Sequence, residues 1–327
     1  MKVKLKNLFI TLIGLVFLAA CGGNDESVSI YTHNVEDEMQ PMVNDLEEET
    51  GVKVDFLNLS SEEGFSRASE EFPDVGAQVQ WGQLHSLALL ADREDMLGAY
   101  KSPEWDDVPD EFKDPEGKWY GWSYWYNELA VNTDLIDELG LDMPHSWQDL
   151  IDPQYEGEIV MPDPSVSGTG YLFVSTMIQI LGEDEAWDYF EKLDNNVGQY
   201  VDSADVPGQL TAQGEYTIGI TWDQAVSNFI EEGYPIEGVI PEEGVGYDLD
   251  VIWIYKGHED NENVQKIIDY VGSEKGMKSA GKHRSMVTKP GIEGTAGDTE
   301  PNLIDYDALW AADNRDKIQK EWDERFN

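Results

Sequence analysis

Cysteine is nearly absent: Cys21 stands alone in 327 residues. No intrachain disulfide can form, so the fold must rest on buried apolar surface, which a chain of this length can supply. Basic residues are scarce too, 21 Lys and Arg against 67 Asp and Glu, for a formal charge of −46 at pH 7. Phosphate backbones are gripped by Lys/Arg surfaces, so this balance excludes nucleic acid as a partner. Histidine is sparse at five residues, and neither HExxH nor another metal-ligand spacing occurs. No metal and no cofactor are therefore expected. There is no GxSxG and no P-loop, and beyond Cys21 no thiol nucleophile. His258 and His283 fall in polar segments, and Asp/Glu pairs are too numerous to mark a site. The expectation is a protein that is not an enzyme, with a secreted hydrolase as the distant alternative. Disorder is opposed by 11 Trp and 15 Tyr set in periodic apolar segments. The acidity reads as a solvated coat suited to a halophile, where salt screens self-repulsion.

The first residues have a recognisable order. Lys2, Lys4 and Lys6 precede an apolar run at residues 8–18, then Leu18-Ala19-Ala20-Cys21 and Gly22-Gly23-Asn24. The run is short for a membrane span, which needs about 20 residues. Small residues at a cleavage point mark a signal peptide, and the Cys directly after them resembles the bacterial lipobox. The expected layout is a signal peptide at 1–20 and a lipidated tether at 21–27. Cys21 carries the lipid, and the rest lies outside the cytoplasm on the membrane to which that lipid holds it.

After the tether, strands and helices alternate. Strands are expected at residues 28–31, 52–57 and 78–81, with helices at 36–50 and 62–71 between them. A second set has strands at 159–161 and 216–221 and helices at 169–181, 185–193 and 224–232. A strand at 251–255 and helices at 261–271 and 315–326 follow. This rhythm predicts an α/β fold with mainly parallel sheets. With no Ser/Gly-rich linker and no internal repeat, two lobes must share crossing strands, placed near 121–126 and 248–254. Lobe 1 then takes residues 27–121 plus 255–327, and lobe 2 takes 122–254. Ligands in such lobes bind beyond the carboxyl ends of the strands, here in the cleft between lobes.

Several stretches resemble the solute-binding proteins of bacterial ABC importers, within the type II group that holds ferric-iron, phosphonate and sugar-phosphate binders. They are Glu48-Glu49-Thr50-Gly51-Val52-Lys53-Val54, Val79-Gln80-Trp81-Gly82, Ala99-Tyr100-Lys101-Ser102-Pro103 and Val131-Asn132-Thr133-Asp134. The clearest runs from Ile159-Val160-Met161-Pro162-Asp163-Pro164 to Ser165-Val166-Ser167-Gly168-Thr169-Gly170, and Ala311-Ala312-Asp313-Asn314-Arg315 fits as well. The resemblance implies a two-lobed, hinge-closing receptor, monomeric, that hands a small molecule to permease subunits.

Candidate ligand residues cluster at strand ends. Ser165, Ser167, Gly168 and Thr169 lie in a strand-to-helix turn, where free N–H groups and the helix dipole suit an oxyanion; ordinary helix capping by Ser167 is the alternative. Thr32 and His33 follow the first strand, Trp81 and Gln83 the third, and Trp222 and Asp223 a second-lobe strand. The aromatic run Trp119 to Tyr126 reads as hinge and core packing, or as cleft rings able to hold a cationic amine. Ferric binders of the resembling group use adjacent tyrosines after a second-lobe strand. Here that stretch reads Thr221-Trp222-Asp223-Gln224, so iron is an alternative, beside a cationic or zwitterionic amine, and a phosphonate or phosphate ester, such as 2-aminoethylphosphonate or a sugar phosphate, is the expected ligand. The basic group that such an anion needs is not evident: Arg67, Lys101 and Arg284 are the candidates.

Overall fold

A computed structural model describes residues 27–34, 36–296 and 300–326; Cys21 and the segment before it, with the expected lipidation, lie outside the described residues. The chain opens with β1 (Val28–Thr32), α1 (Glu36–Thr50), β2 (Val54–Asn58), α2 (Ser61–Glu71), β3 (Val79–Leu84) and α3 (His85–Arg93). In α1, Met39, Met42, Val43 and Leu46 recur at helical spacing and are buried. Gly51, at φ 72°, supplies the left-handed residue that lets the chain turn back into β2. β1 pairs parallel with both β2 and β3.

β4 (Leu97–Gly98) leads to β5 (Trp119–Asn132), a strand of 14 residues. Then come α4 (Thr133–Leu139), β6 (Ile159–Pro162), α5 (Gly168–Leu181), α6 (Glu183–Asp194), β7 (Val197–Val201), α7 (Val206–Ala212), β8 (Ile218–Trp222), α8 (Asp223–Glu231) and β9 (Ile236–Val239). β10 (Tyr247–Tyr255), α9 (Glu262–Gly272), α10 (Glu274–Ala280), β11 (Met286–Val287) and α11 (Ala308–Phe326) complete the described chain. The strand order is β2-β1-β3-β10-β5-β8-β6-β7.

β5 joins the two halves. From Trp119 to Tyr126 it pairs antiparallel with β10, and from Asn127 onward with β8 and then β9. One apolar core lies under the first half of the sheet and includes Trp81, Trp105, Trp122 and Trp253. A second includes Trp147, Phe173, Trp187 and Phe190. The fold is thus α/β and two-lobed. The chain passes outward within β5 and returns into β10, whose first residue Tyr247 faces Tyr126. α11 shows a difference from the expected division. The sequence grouped this segment with the first lobe, yet its buried Ala311, Ile318 and Trp322 pack into the second core, Trp322 against Phe190 and Phe326. It also reaches back to the first half, packing along α3 and pairing Asp313 with Arg93 there. Among the described residues no helix is long and apolar enough to cross a membrane.

Candidate ligand cleft

The two halves border a cleft of ≈ 420 Å³. From the first come His33, Asn34, Glu38, Leu84, Asp250 and Arg284; from the second come Thr169, Ala204, Asp205, Trp222, Gln224 and Asn228, with Trp125 of β5 between them.

Asp250 organises the first side. It sits on β10 where the register slips against both neighbours, paired with Leu84 of β3 and Ser123 of β5. Such a bulge re-aims a side chain, and the Asp250 carboxylate collects three partners. His33 Nε2 lies 2.8 Å from Oδ1, and Ser123 donates to Oδ2 at 2.9 Å. Arg284 Nε lies 3.5 Å from Oδ2. Burial works to raise this carboxyl, but Arg284 and His33 overcome it and bring it down to about 2. Arg284 also pairs with Glu38 at 3.0 Å and lies 5.4 Å from the centre of the Trp122 ring. Glu38 is itself raised, because burial outweighs the pull of Arg284. His33 is fixed from its other nitrogen by Ser61 Oγ at 2.6 Å. Beside it, the Asn34 amide is 1% exposed, and neither its oxygen nor its nitrogen has a partner. A Cβ at Gly82, whose φ is 81°, would fall 1.8 Å from Asn34 Oδ1, so only glycine leaves this amide its place.

The second side presents helix starts. Thr169 is the second residue of α5, and Gln224 the second of α8. Trp222 donates from Nε1 to Asp205 at 2.6 Å and meets Trp125 edge-on at 6.5 Å. Gln224 donates to Asn228 at 2.9 Å and to Thr295 at 3.0 Å.

Of the residues chosen from sequence, His33, Thr169 and Trp222 line the cleft. The others do not line it. Thr32, Trp81 and Gln83 are 1%, 2% and 1% exposed; Trp81 belongs to the first core, and Gln83 donates to Ser61 O at 3.0 Å. These two sit inside β3 rather than after it, on either side of the left-handed Gly82. Ser165 donates to Asp163 at 2.7 Å. Ser167 caps α5 by accepting from Gly170 N at 3.4 Å. Gly168 borders a separate void of ≈ 30 Å³ with Asp248 and Tyr171. Asp223 is fully buried, accepts from Tyr126 N at 3.3 Å and from the Ser285 hydroxyl, and burial pushes its carboxyl up to about 7. Of the aromatic run, Trp125 reaches the cleft, while Tyr124 stacks on Phe112. Of the basic candidates, Arg67 pairs with Glu71 and Lys101 with Glu116, so Arg284 alone of the three faces the cleft. Glu38, Asp205 and Asp250 were missed. Asp250 had a signal, an acid inside the apolar strand run Leu249 to Tyr255. Among the described residues no three His, Cys, Asp or Glu form a metal-holding group.

Residues 70–308 match the family described as bacterial extracellular solute-binding protein. An uncharacterized protein of Haemophilus influenzae is 31% identical over 288 residues, 84% of this chain and 83% of its own length. The periplasmic binding protein AfuA of Actinobacillus pleuropneumoniae, solved with fructose-6-phosphate, is similar at 30% identity and a TM-score of 0.76, across 92% of this chain and 98% of that one. Iron-bound HitA of Pseudomonas aeruginosa, at 17% identity, shares the fold with a TM-score of 0.79 over 90% of this chain and 99% of its own.

Proposed function

Because this chain belongs to the bacterial extracellular solute-binding proteins, the receptors of ABC importers, we propose that its cleft captures a small organic phosphate or phosphonate. The observation that carries this reading is the convergence of the Arg284 guanidinium, the His33 imidazole and the unpartnered Asn34 amide on one cavity. Guanidinium and amide donors are the groups that hold an oxyanion, and the N-terminal turn of α5 adds partial positive charge from across the cleft. The ligand displaces Glu38 from Arg284. Burial holds the Glu38 carboxyl above its ordinary range, which eases its protonation when that pairing is lost. AfuA, with its fructose-6-phosphate, supports a phosphorylated solute. Closure follows because a ligand touching both halves binds the closed form more tightly, with β5 bending near Tyr126 and Asn127.

A second feature of the cleft favours an amine on the same solute. Trp125 and Trp222 stand beside Glu38 and Asp205, and rings with carboxylates attract an ammonium group. An aminoalkylphosphonate would use both ends. Iron finds less support, since the strand end that would carry paired tyrosines reads Thr221-Trp222-Asp223.

Calorimetric titration with fructose 6-phosphate, 2-aminoethylphosphonate and ferric citrate tests the reading. A phosphate or phosphonate should bind at one site. Thr169→Ala should then lose one charge-assisted hydrogen bond and weaken binding roughly tenfold or more. Ser167→Ala should leave affinity nearly unchanged and cost about 1 kcal/mol of stability, since its hydroxyl caps α5. A tight ferric complex with no organic anion bound would reject the proposal.

In this reading the chain is a monomer working with its permease and tethered through a lipid on Cys21. Radiolabelled fatty acid should enter the wild type and not Cys21→Ser; equal label in both would exclude the tether.

A further inference from the structure

A second cavity of ≈ 400 Å³ lies on α8 and β9 and shares no lining residue with the cleft. Glu128 of β5 is 8% exposed and lines it. No hydrogen bond or cation among the described residues offsets this carboxyl: burial, with a smaller push from Asp223, raises it to about 8. A buried carboxyl left without a partner is costly. Gly238 of β9 makes room for it, since a Cβ there would lie 2.5 Å from Glu128 Oε1. The walls combine apolar Val226, Ile230 and Ile240 with the Tyr126 ring. Among the described residues no cluster of His, Cys, Asp and Glu could cage a metal ion. The site therefore offers the buried Glu128 carboxylate, a second carboxylate from Glu231 on its wall, one ring and an apolar pocket, which is the complement of an N–H donor on a short carbon chain.

We propose that this cavity behind the hinge strand is a second ligand site, which takes a small alkylammonium ion with Glu128 as its counter-charge. The site is independent of the anion assigned to the cleft. It adjoins the handover within β5 through Tyr126 and Glu128, and it adjoins Thr295, which is bonded to the cleft residue Gln224.

The mature chain is titrated with n-butylammonium chloride, with potassium chloride and 1-butanol at matched concentrations as separate arms. The expected result is saturable one-site binding of butylammonium alone. Affinity should fall at least tenfold in Glu128→Gln and in Ile230→Trp, which fills the cavity from its exposed side, and should be unchanged in Arg67→Ala, whose side chain lines neither cavity. The incoming ammonium displaces the Glu128 proton, so affinity should rise on the order of tenfold between about pH 6.5 and 8.5. The other ionisable groups facing Glu128 are Tyr126 on its own strand and Asp223 and Glu231 on α8. Any one of four results overturns the proposal: no saturable binding, an equal response to potassium, unchanged affinity in Glu128→Gln, or a flat pH profile.

Discussion

Asp250→Ala should melt about 5–10 °C below the wild type, the largest stability loss expected of a single cleft substitution. The carboxylate is 3% exposed and holds His33, Ser123 and Arg284 together. Removing it leaves Arg284, 8% exposed, with Glu38 alone. Breaking a buried ion pair by deleting one partner costs about 3–5 kcal/mol. The pH dependence has a definite sign. The folded carboxyl lies at about 2, below its ordinary 3.8. Its contribution is complete above the ordinary value and is lost as pH falls through the folded one. The wild type should therefore lose about 2 kcal/mol from this group between roughly pH 4 and 2. Asp250→Asn keeps the shape and drops the charge, so its stability should lack that component. Chemical denaturation of both proteins across this range is the measurement, and parallel acid profiles would show that Asp250 carries no such linkage.

Arg284→Ala should weaken binding of the phosphorylated or phosphonate solute by about a hundredfold, the largest affinity loss expected. A guanidinium offers paired N–H groups to an oxyanion, and its charge-assisted bonds contribute about 1.5–3 kcal/mol. Arg284→Lys keeps the charge but loses the planar fork and its place 5.4 Å from the Trp122 ring centre. About tenfold loss is expected there. Arg67→Ala, which breaks a pair with Glu71 away from the cleft, should bind as the wild type does. Titration of the three variants, each with its melting temperature, separates affinity from folding. Wild-type affinity in Arg284→Ala would remove the basic centre of the proposed anion site.

Local pattern made much of the fold legible. Apolar spacing predicted α1, and turn chemistry placed the loop before α5. What sequence could not show is set by contacts between distant residues. Arg284 and Glu38 are 246 positions apart, so nothing near either one announces the pair. The 14 residues of β5 read as one aromatic run because their change of partner leaves no local mark. Ser167 and Thr169 are equally good hydroxyl candidates by type. Only the direction of each side chain separates the cap from the residue at the cleft. Trp81 and Gln83 were placed after the third strand, but that strand runs on to Leu84 and keeps both residues inside the sheet. The amphipathic pattern of α11 showed that it has a buried face but not which core receives it.

The position of β10 also bears on how the chain is made. It lies between β3 and β5 in the sheet but follows both lobes' worth of strands in the sequence. As the polypeptide emerges, β3 and the first half of β5 are complete more than a hundred residues before the strand that joins them. Until then each presents an open edge to any other strand it meets. The amino-terminal half cannot finish on its own, and its assembly awaits the last third of the chain. For an exported protein this delay is useful, because a chain that cannot close early stays threadable through a translocation pore until nearly all of it has been made.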